Sequence, residues 1–484
     1  GGKIVIDAGP EGKTEVGGTL DVRGRGGKGG EVILLGDTVE VFEGALILAD
    51  GDSGGGTVKI GGGLQGGDAE LDNSSSVTIG SGAQISADAL ISGDGGTVIV
   101  FAEGTLHFRG QASVNGGVFG GNGGFVELSG KQSLFVDDLV GQVDLTSAQG
   151  LAGTLLLDPV DLSVISGVSG GVAGTTITDG AINDFLTSSG SLIITTSTGT
   201  GGSGDITVAG DAAITWANSS ELRFFADRDF IMSGGASIAS TGTGDFVVEA
   251  LRLIQLGSSS QITTGAGDIS LTANTLGNTS GNFSGITLEG ATLSATSGNI
   301  SLLGQGGSDA LTGGHSGIQI LGGSVVSTTS GNILVAGTGV SGTYDNFGVS
   351  ISQTDTVVSS GSGTITITGN GAAGATEENN DGIGIDGGAR IESVSGDLTL
   401  TGVAGGGTAG RNGVAIYGTG TSVTSTDGLV KIDGTGGASS LLSNVGVFLS
   451  LSGGVHSETN DVIIDGVGGQ GGIFVLGGAS VTAA

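Results

Sequence analysis

Cysteine is absent from the 484 residues, and proline occurs twice. The first absence excludes a disulfide scaffold and cysteine-ligated metal. The second excludes collagen and proline-rich spacers. Aromatic residues make up only 4%, so the apolar residues are mostly aliphatic. Basic residues are scarce: 14 Lys and Arg stand against 47 Asp and Glu, a net charge of −33. Phosphate backbones and anionic lipid surfaces repel such a chain, so no nucleic-acid partner is expected. No apolar run approaches the roughly 18 residues of a membrane helix, and no membrane insertion is expected. The opening GGKIVIDAGP lacks the charged and apolar regions of a leader, which points to a processed or internal start.

What the chain has in quantity is glycine, 107 residues, beside 37% hydrophobic residues that are mostly Val, Ile, Leu and Ala. That apolar share is too high for a disordered chain. β-branched residues with Ser and Thr favour strands, and glycine breaks them where turns are needed. The apolar bursts recur. In the first third the unit is a glycine pair and a short alternation: GGKIVI (1–6), GGEVIL (29–34), GGTVKI (55–60), GGTVIV (95–100), GGFVEL (123–128) and the looser AGTLLL (152–157). Taking Ile4, Val32, Val58, Val98, Val126 and Leu155 as equivalent gives spacings of 28, 26, 40, 28 and 29. From about residue 298 the unit becomes SGNISLLGQGG, SGNILVAGTG, SGTITITGNG and their successors. Ile300, Ile333, Ile365, Leu398, Val430 and Val462 are then spaced by 33, 32, 33, 32 and 32. A second burst follows in each period, from GIQI (317–320) to GIFV (472–475), and a shorter third one after it.

A fixed period of this size denotes a repeat architecture. Three short strands per period predict an all-β parallel β-helix, a solenoid in which each coil lays its strands on those of the coil before. Alternation sorts the side chains: in ITIT (365–368) both Ile point inward and both Thr outward. About fifteen to eighteen coils spaced roughly 4.8 Å apart predict a rod. Three segments are expected: 1–158 with coils of 26–40 residues, 159–250 with irregular coils, and 251–484 with 32–33-residue repeats. In the middle segment, TDGAINDFLTSSGS (178–191) predicts one short helix near 179–187, with Asp179 at the N-cap and Ile182, Phe185 and Leu186 on one face. ELRFFADRDFIMSGGASI (221–238) predicts coils with larger inward residues.

The three histidines, His107, His315 and His456, fall in unrelated coils, where surface or loop positions are expected rather than acid–base catalysis. Lys131 and Arg109 come nearest to the cationic face of a β-helix lyase, but no catalytic set assembles around them and no enzyme is expected. GGLQGG and GTGG read as corners, because the strand, phosphate turn and long helix of a nucleotide site are missing. Acidic loops offer hard oxygen ligands. Asp50 and Asp52 in ADGDSGGG (49–56), with Glu377, Glu378 and Asp381 in TEENNDG (376–382), are candidate ligands for calcium, the one cofactor suggested; the other reading is solvated charge. Glycosylation sequons begin at Asn73, Asn218, Asn278, Asn282 and Asn299. Outward ladders of Thr, Ser and Asn are the candidate contact surface for sugars.

Five stretches carry a resemblance: GGTVKIGGGLQGGDAEL (55–71), GAQISADALISGDGGTVIVFAEGTLHFRG (82–110), GGNGGFVELSGKQSLFV (120–136), VDLTSAQGLAGTLLLDP (143–159) and GSGDITVAGDAAITW (202–216). They resemble the large haemagglutinin-like exoproteins of bacterial two-partner secretion, the adhesins related to filamentous haemagglutinin. The pair GGFVELSGKQ and GTLLLDP is the more specific part. The resemblance implies export through an outer-membrane secretion pore, a right-handed β-helix folded outside the cell, and attachment to host or neighbouring-cell surface glycans or proteins. The expectation is a secreted, non-enzymatic rod at the bacterial surface that mediates adhesion or builds extracellular matrix. A structural filament or surface-layer subunit is the alternative, since uncapped coils leave strand edges free for end-to-end self-association. A carbohydrate-active enzyme on the same scaffold comes third.

Overall fold

A computed structural model describes residues 1–199, 201–277, 279–437 and 444–483. The chain forms two compact units, Gly1–Asp227 and Arg228–Ala484, and each is a parallel β-helix built from short strands. In the first unit the glycine-pair bursts form one sheet, running from Lys3–Asp7 through Glu31–Leu35, Thr57–Ile60, Thr97–Ala102, Phe125–Gly130 and Thr154–Pro159 to Ser191–Thr195 and Leu222–Ala226. The register matches the spacing of the sequence: Ile4 lies opposite Val32, Val32 opposite Val58, Val58 opposite Val98, Val98 opposite Val126, and Val126 opposite Leu155.

In the second unit Ile300, Ile333, Ile365, Leu398, Val430 and Val462 stand in one column. The second bursts stack Ile318, Val349, Ile383, Val414, Val447 and Ile473. The third bursts stack Val326, Val358, Ile391, Val423, Val455 and Val481. Each coil thus gives one strand to each of three sheets, and its backbone groups pair with the coils on either side. Ile365 and Ile367 are buried while Thr366 and Thr368 are half-buried on the outer face. Each buried aliphatic side chain of these columns contributes about 1.5–3 kcal/mol.

Where the chain turns between the third strand and the next first strand, backbones meet closely. A Cβ on Gly363 would lie 1.8 Å from the Gly331 carbonyl oxygen, and one on Gly396 would lie 1.8 Å from that of Gly363. Glycine is required there by contact between coils.

The first unit departs from simple alternation. EVILL, TVIVFA, FVELSG and TLLLDP are buried at every position after the first, as expected of strands covered on both faces. Part of the cover is a 3-10 turn, Leu64–Gly66, packed on Thr97–Ala102. Gly66 has φ +68°, and a Cβ there would lie 2.4 Å from Cζ of Phe101, a ring with no exposed surface.

Two α-helices occur among the described residues: α1 (Leu139–Gln142) and α2 (Asp179–Ser188). In α2, Ile182, Phe185 and Leu186 are fully buried, and the helix packs on α1 and on the strand Ala213–Trp216. Its N-cap is Thr178, one residue before the expected Asp179: the Thr178 hydroxyl accepts from the Ala181 N–H at 3.2 Å. Asp179 is instead the first helical residue, and its carboxylate accepts from the N–H groups of Gly167, Gly180 and Ala213 at 2.7–2.9 Å. That placement ties the helix start to the Gly167 loop and to the first residue of the strand Ala213–Trp216 and sets negative charge at its positive end. Just before α2, Val172–Gly174 pairs antiparallel with Ser133–Val136 and with Thr176–Thr178, an exception to the parallel rule. The larger inward residues of the middle stretch are in place: Phe224, Phe230, Met232 and Phe246 are fully buried, and Trp216 is 3% exposed.

Candidate functional site

The double burial of the first sheet creates a sealed polar cluster. On the outer face of Phe125–Gly130, Glu127 stands between Ile99 and Leu156 of the adjoining strands, and Ser129 stands between Phe101 and Asp158. Glu127 has no exposed surface. Its Oε1 accepts from the Gln65 N–H at 2.9 Å and from the Ser129 hydroxyl at 2.5 Å, while Oε2 has no hydrogen-bond partner. Burial pushes its carboxyl up to about 7 against those two donors, and the nearby Asp158 charge adds to the rise. Asp158 is equally buried. Its Oδ2 accepts from Lys131 Nζ, and Oδ1 has no partner. Burial raises the Asp158 carboxyl, and Lys131 opposes the rise. The Gln65 side-chain amide lies close enough to favour the charged form, though no hydrogen bond reaches Oδ1.

The lid of this cluster is held under strain. Gln65, at φ 51°, is in the left-handed region, which costs a non-glycine residue about 1–2 kcal/mol. Its N–H bond to Glu127 offsets that cost, as do the Lys59–Asp68 ion pair at 3.0 Å and the Asn73–Glu103 hydrogen bond at 2.8 Å, which pin the same loop. Lys131 is the one member that touches solvent, with a side chain 19% exposed, and it lines a hollow of about 360 Å³ with Glu103, Gln132, Ser197, Thr198 and Gly199. A polymer substrate has no access to either carboxylate in this arrangement.

The candidate calcium ligands fall into two loops, one in each unit. Asp50 Oδ1 accepts from the Asp88 N–H at 3.0 Å, and Asp52 Oδ2 from the Gly26 N–H at 2.5 Å. Asp88 in turn accepts from the Asn115 N–H at 2.6 Å and the Ser113 hydroxyl at 2.9 Å. These carboxylates cap backbone donors of neighbouring coils. In the second unit Glu377 and Glu378 are exposed, whereas Asp381 is buried, so the structure separates the three acids. Asp381 Oδ1 accepts from the Asn412 N–H at 2.5 Å, and burial pushes its carboxyl up to about 7. Among the described residues, no group of three or more His, Asp or Glu is placed to hold a metal ion.

Asp381 belongs to a polar corner that the periodicity of apolar residues does not announce. His315 N–H donates to Asn346 Oδ1 at 3.0 Å, Asn346 N–H to Asn380 Oδ1 at 3.2 Å, and Arg411 Nε to Asn444 Oδ1 at 3.0 Å. His315, expected at the surface or in a loop, lies in the loop before the strand Ile318–Leu321 but is fully buried there, with Nδ1 at 3.0 Å from the Ser341 carbonyl and Nε2 at 2.9 Å from the Thr312 hydroxyl. The ladder accounts for this, since each coil supplies hydrogen-bond partners to the next. His107 stacks on Phe135 at 4.6 Å, and His456 meets the Thr482 hydroxyl at 2.5 Å. Arg109 is within 3.7 Å of Asp137 at the surface. Of the sequons, Asn218, Asn282 and Asn299 are exposed and Asn73 is half-buried; Asn278 lies outside the described residues.

The first unit also carries an open polar groove of about 420 Å³, floored by strands Gln84–Ser86, Gln111–Ser113 and Val143–Asp144 and walled by α1 and the end of α2. Gln84, Gln111 and Asp144 are exposed along it. The Gln142 side chain fixes the α1 wall, accepting from the Asp138 N–H at 2.7 Å and donating to the Phe108 carbonyl at 3.2 Å. No family model matches the chain, and a search of the curated proteins finds no match.

Proposed function

We propose that the protein is a secreted, non-enzymatic bacterial surface protein that mediates adhesion or builds extracellular matrix, exported through an outer-membrane pore as its resemblance to the two-partner secretion adhesins implies. The supporting observation is the polar groove on the first unit. Gln84, Ser86, Gln111, Ser113 and Asp144 offer amide, hydroxyl and carboxylate groups in successive rows, a pattern that suits the repeated hydroxyls of a surface glycan. The net charge of −33 turns the protein away from nucleic acid and anionic lipid and toward neutral or cationic surfaces.

The test is adhesion and glycan-array binding by the full chain and by a Gln84→Ala/Gln111→Ala variant. Binding by the parent chain that drops at least tenfold, about 1.4 kcal/mol, in the variant supports the reading. Binding that the variant leaves unchanged moves the contact surface elsewhere. A chain that binds neither glycans nor cells, yet assembles end to end into fibres, replaces the adhesin with a structural filament.

A further inference from the structure

We propose that Lys131 and Asp158 join in an intramolecular isopeptide bond, an amide between Nζ and Cγ, with Glu127 as the proton-relaying acid. Three features of the sealed cluster carry this. Lys131 Nζ is already in hydrogen-bond contact with Asp158 Oδ2, one bond away from the carbon it would attack. Asp158 Oδ1 and Glu127 Oε2 are both buried and both lack a partner; a proton on Oε2 directed at Oδ1 would satisfy the two atoms together. Ser129 lies directly opposite Asp158 across the strand pair and donates to Glu127 Oε1, which leaves Oε2 as the free oxygen of a carboxyl on which the Asp158 charge acts.

The surroundings favour the neutral form of the Asp158 carboxyl. Ile99, Phe101 and Leu156 are at most 7% exposed, and an ion pair taken from water into such a site loses hydration that its own attraction repays only in part. Proton transfer from the Lys131 ammonium to the Asp158 carboxylate gives an amine and an acid. The nitrogen lone pair then adds to Cγ while the Glu127 proton passes to the carboxyl oxygen. Collapse breaks one C–O bond and releases water, and the second nitrogen proton returns to Glu127, which ends as it began. Ammonium and carboxylate become amide and water, with no oxidant, metal or cofactor consumed. The product would brace neighbouring coils covalently in a chain that has no cysteine.

Intact-mass spectrometry of the denatured full chain tests this directly. The expected mass is one water below that of the sequence. Trypsin should fail to cut after Lys131, leaving residues 110–223 as a single peptide short of one water, because no other Lys or Arg lies between Arg109 and Arg223. Lys131→Arg and Asp158→Ala should restore the full mass expected for each variant. Glu127→Gln should keep strand-rich circular dichroism yet form the bond at least tenfold more slowly. A full-mass protein cut normally at Lys131 after prolonged incubation overturns the proposal. So does a one-water deficit that persists in Lys131→Arg, which would place the dehydration at an Asp-Gly step instead.

Discussion

At the scale of single residues, the informative groups are acids that folding strips of water. Asp381 faces the Asn412 N–H, which favours its charged form, and the Asp345 charge, which opposes it; burial dominates both and pushes the carboxyl from 3.8 to about 7. An acid raised on folding binds its proton more tightly in the folded chain than in the unfolded one. Its contribution to stability is therefore fully present below about pH 4 and declines as pH rises through about 7, by up to about 1.4 kcal/mol per pH unit. Glu127, raised from 4.5 to about 7, acts in the same direction. Urea denaturation across about pH 5 to 8 should show falling stability for the parent chain, with a shallower fall in Asp381→Asn. Equal slopes for the two proteins would remove Asp381 from the account. Thr178→Ala, which deletes the α2 cap hydroxyl, should cost about 1 kcal/mol at any pH.

At the scale of the strand and the coil, one substitution on each face separates inside from outside. Ile365→Asp puts a charge into a fully buried column and should cost about 3–5 kcal/mol in a denaturant titration. Thr366→Val, one residue along on the outer face, should stay within about 0.5 kcal/mol. The columns were legible in the sequence because an inward row must be apolar in every coil, so Ile300, Ile333 and Ile365 recur at a nearly constant distance. Glu127 was not legible as a buried acid, because alternation alone assigns its position to solvent. The signal lay in the neighbours: EVILL, TVIVFA and TLLLDP run apolar without a break, which marks strands with no wet face. Lys131 was picked out by its charge, but the acids that surround it were not. His315 does lie in a loop, but its burial was not legible, because its isolation was counted against other histidines while its partners are Thr312, Ser341 and Asn346. The α2 cap was off by one because Thr178 and Asp179 are both good N-cap residues, and only the Gly167 and Ala213 N–H groups bonded to Asp179 decide between them.

At the scale of the whole chain, the excess of 33 negative charges opposes compaction. Adding sodium chloride so that the Debye length falls from about 30 Å to about 8 Å should raise the melting temperature. Calcium chloride at matched ionic strength should do no more than this, since one oxygen each of Asp50, Asp52 and Asp381 already caps a backbone N–H and no three acids converge among the described residues. A calcium-specific rise would return the acidic loops to the role of an ion site. The close meeting of glycine with the carbonyl of the preceding coil, as at Gly331, Gly363 and Gly396, has a genetic consequence. From Ile300 to Val462 the coils repeat every 32 or 33 residues in one register, so a whole coil is the smallest piece that can be lost or duplicated there without exposing a mismatch. Removing residues 365–397 would bring Leu398 into the place of Ile365 and set Gly428 against the Gly363 carbonyl where Gly396 had stood, and that shortened chain should fold with the same circular dichroism per residue. Removing half as many should leave an insoluble product. Genes for such chains are thus free to drift in length by slippage between repeats, in steps of one turn of the solenoid.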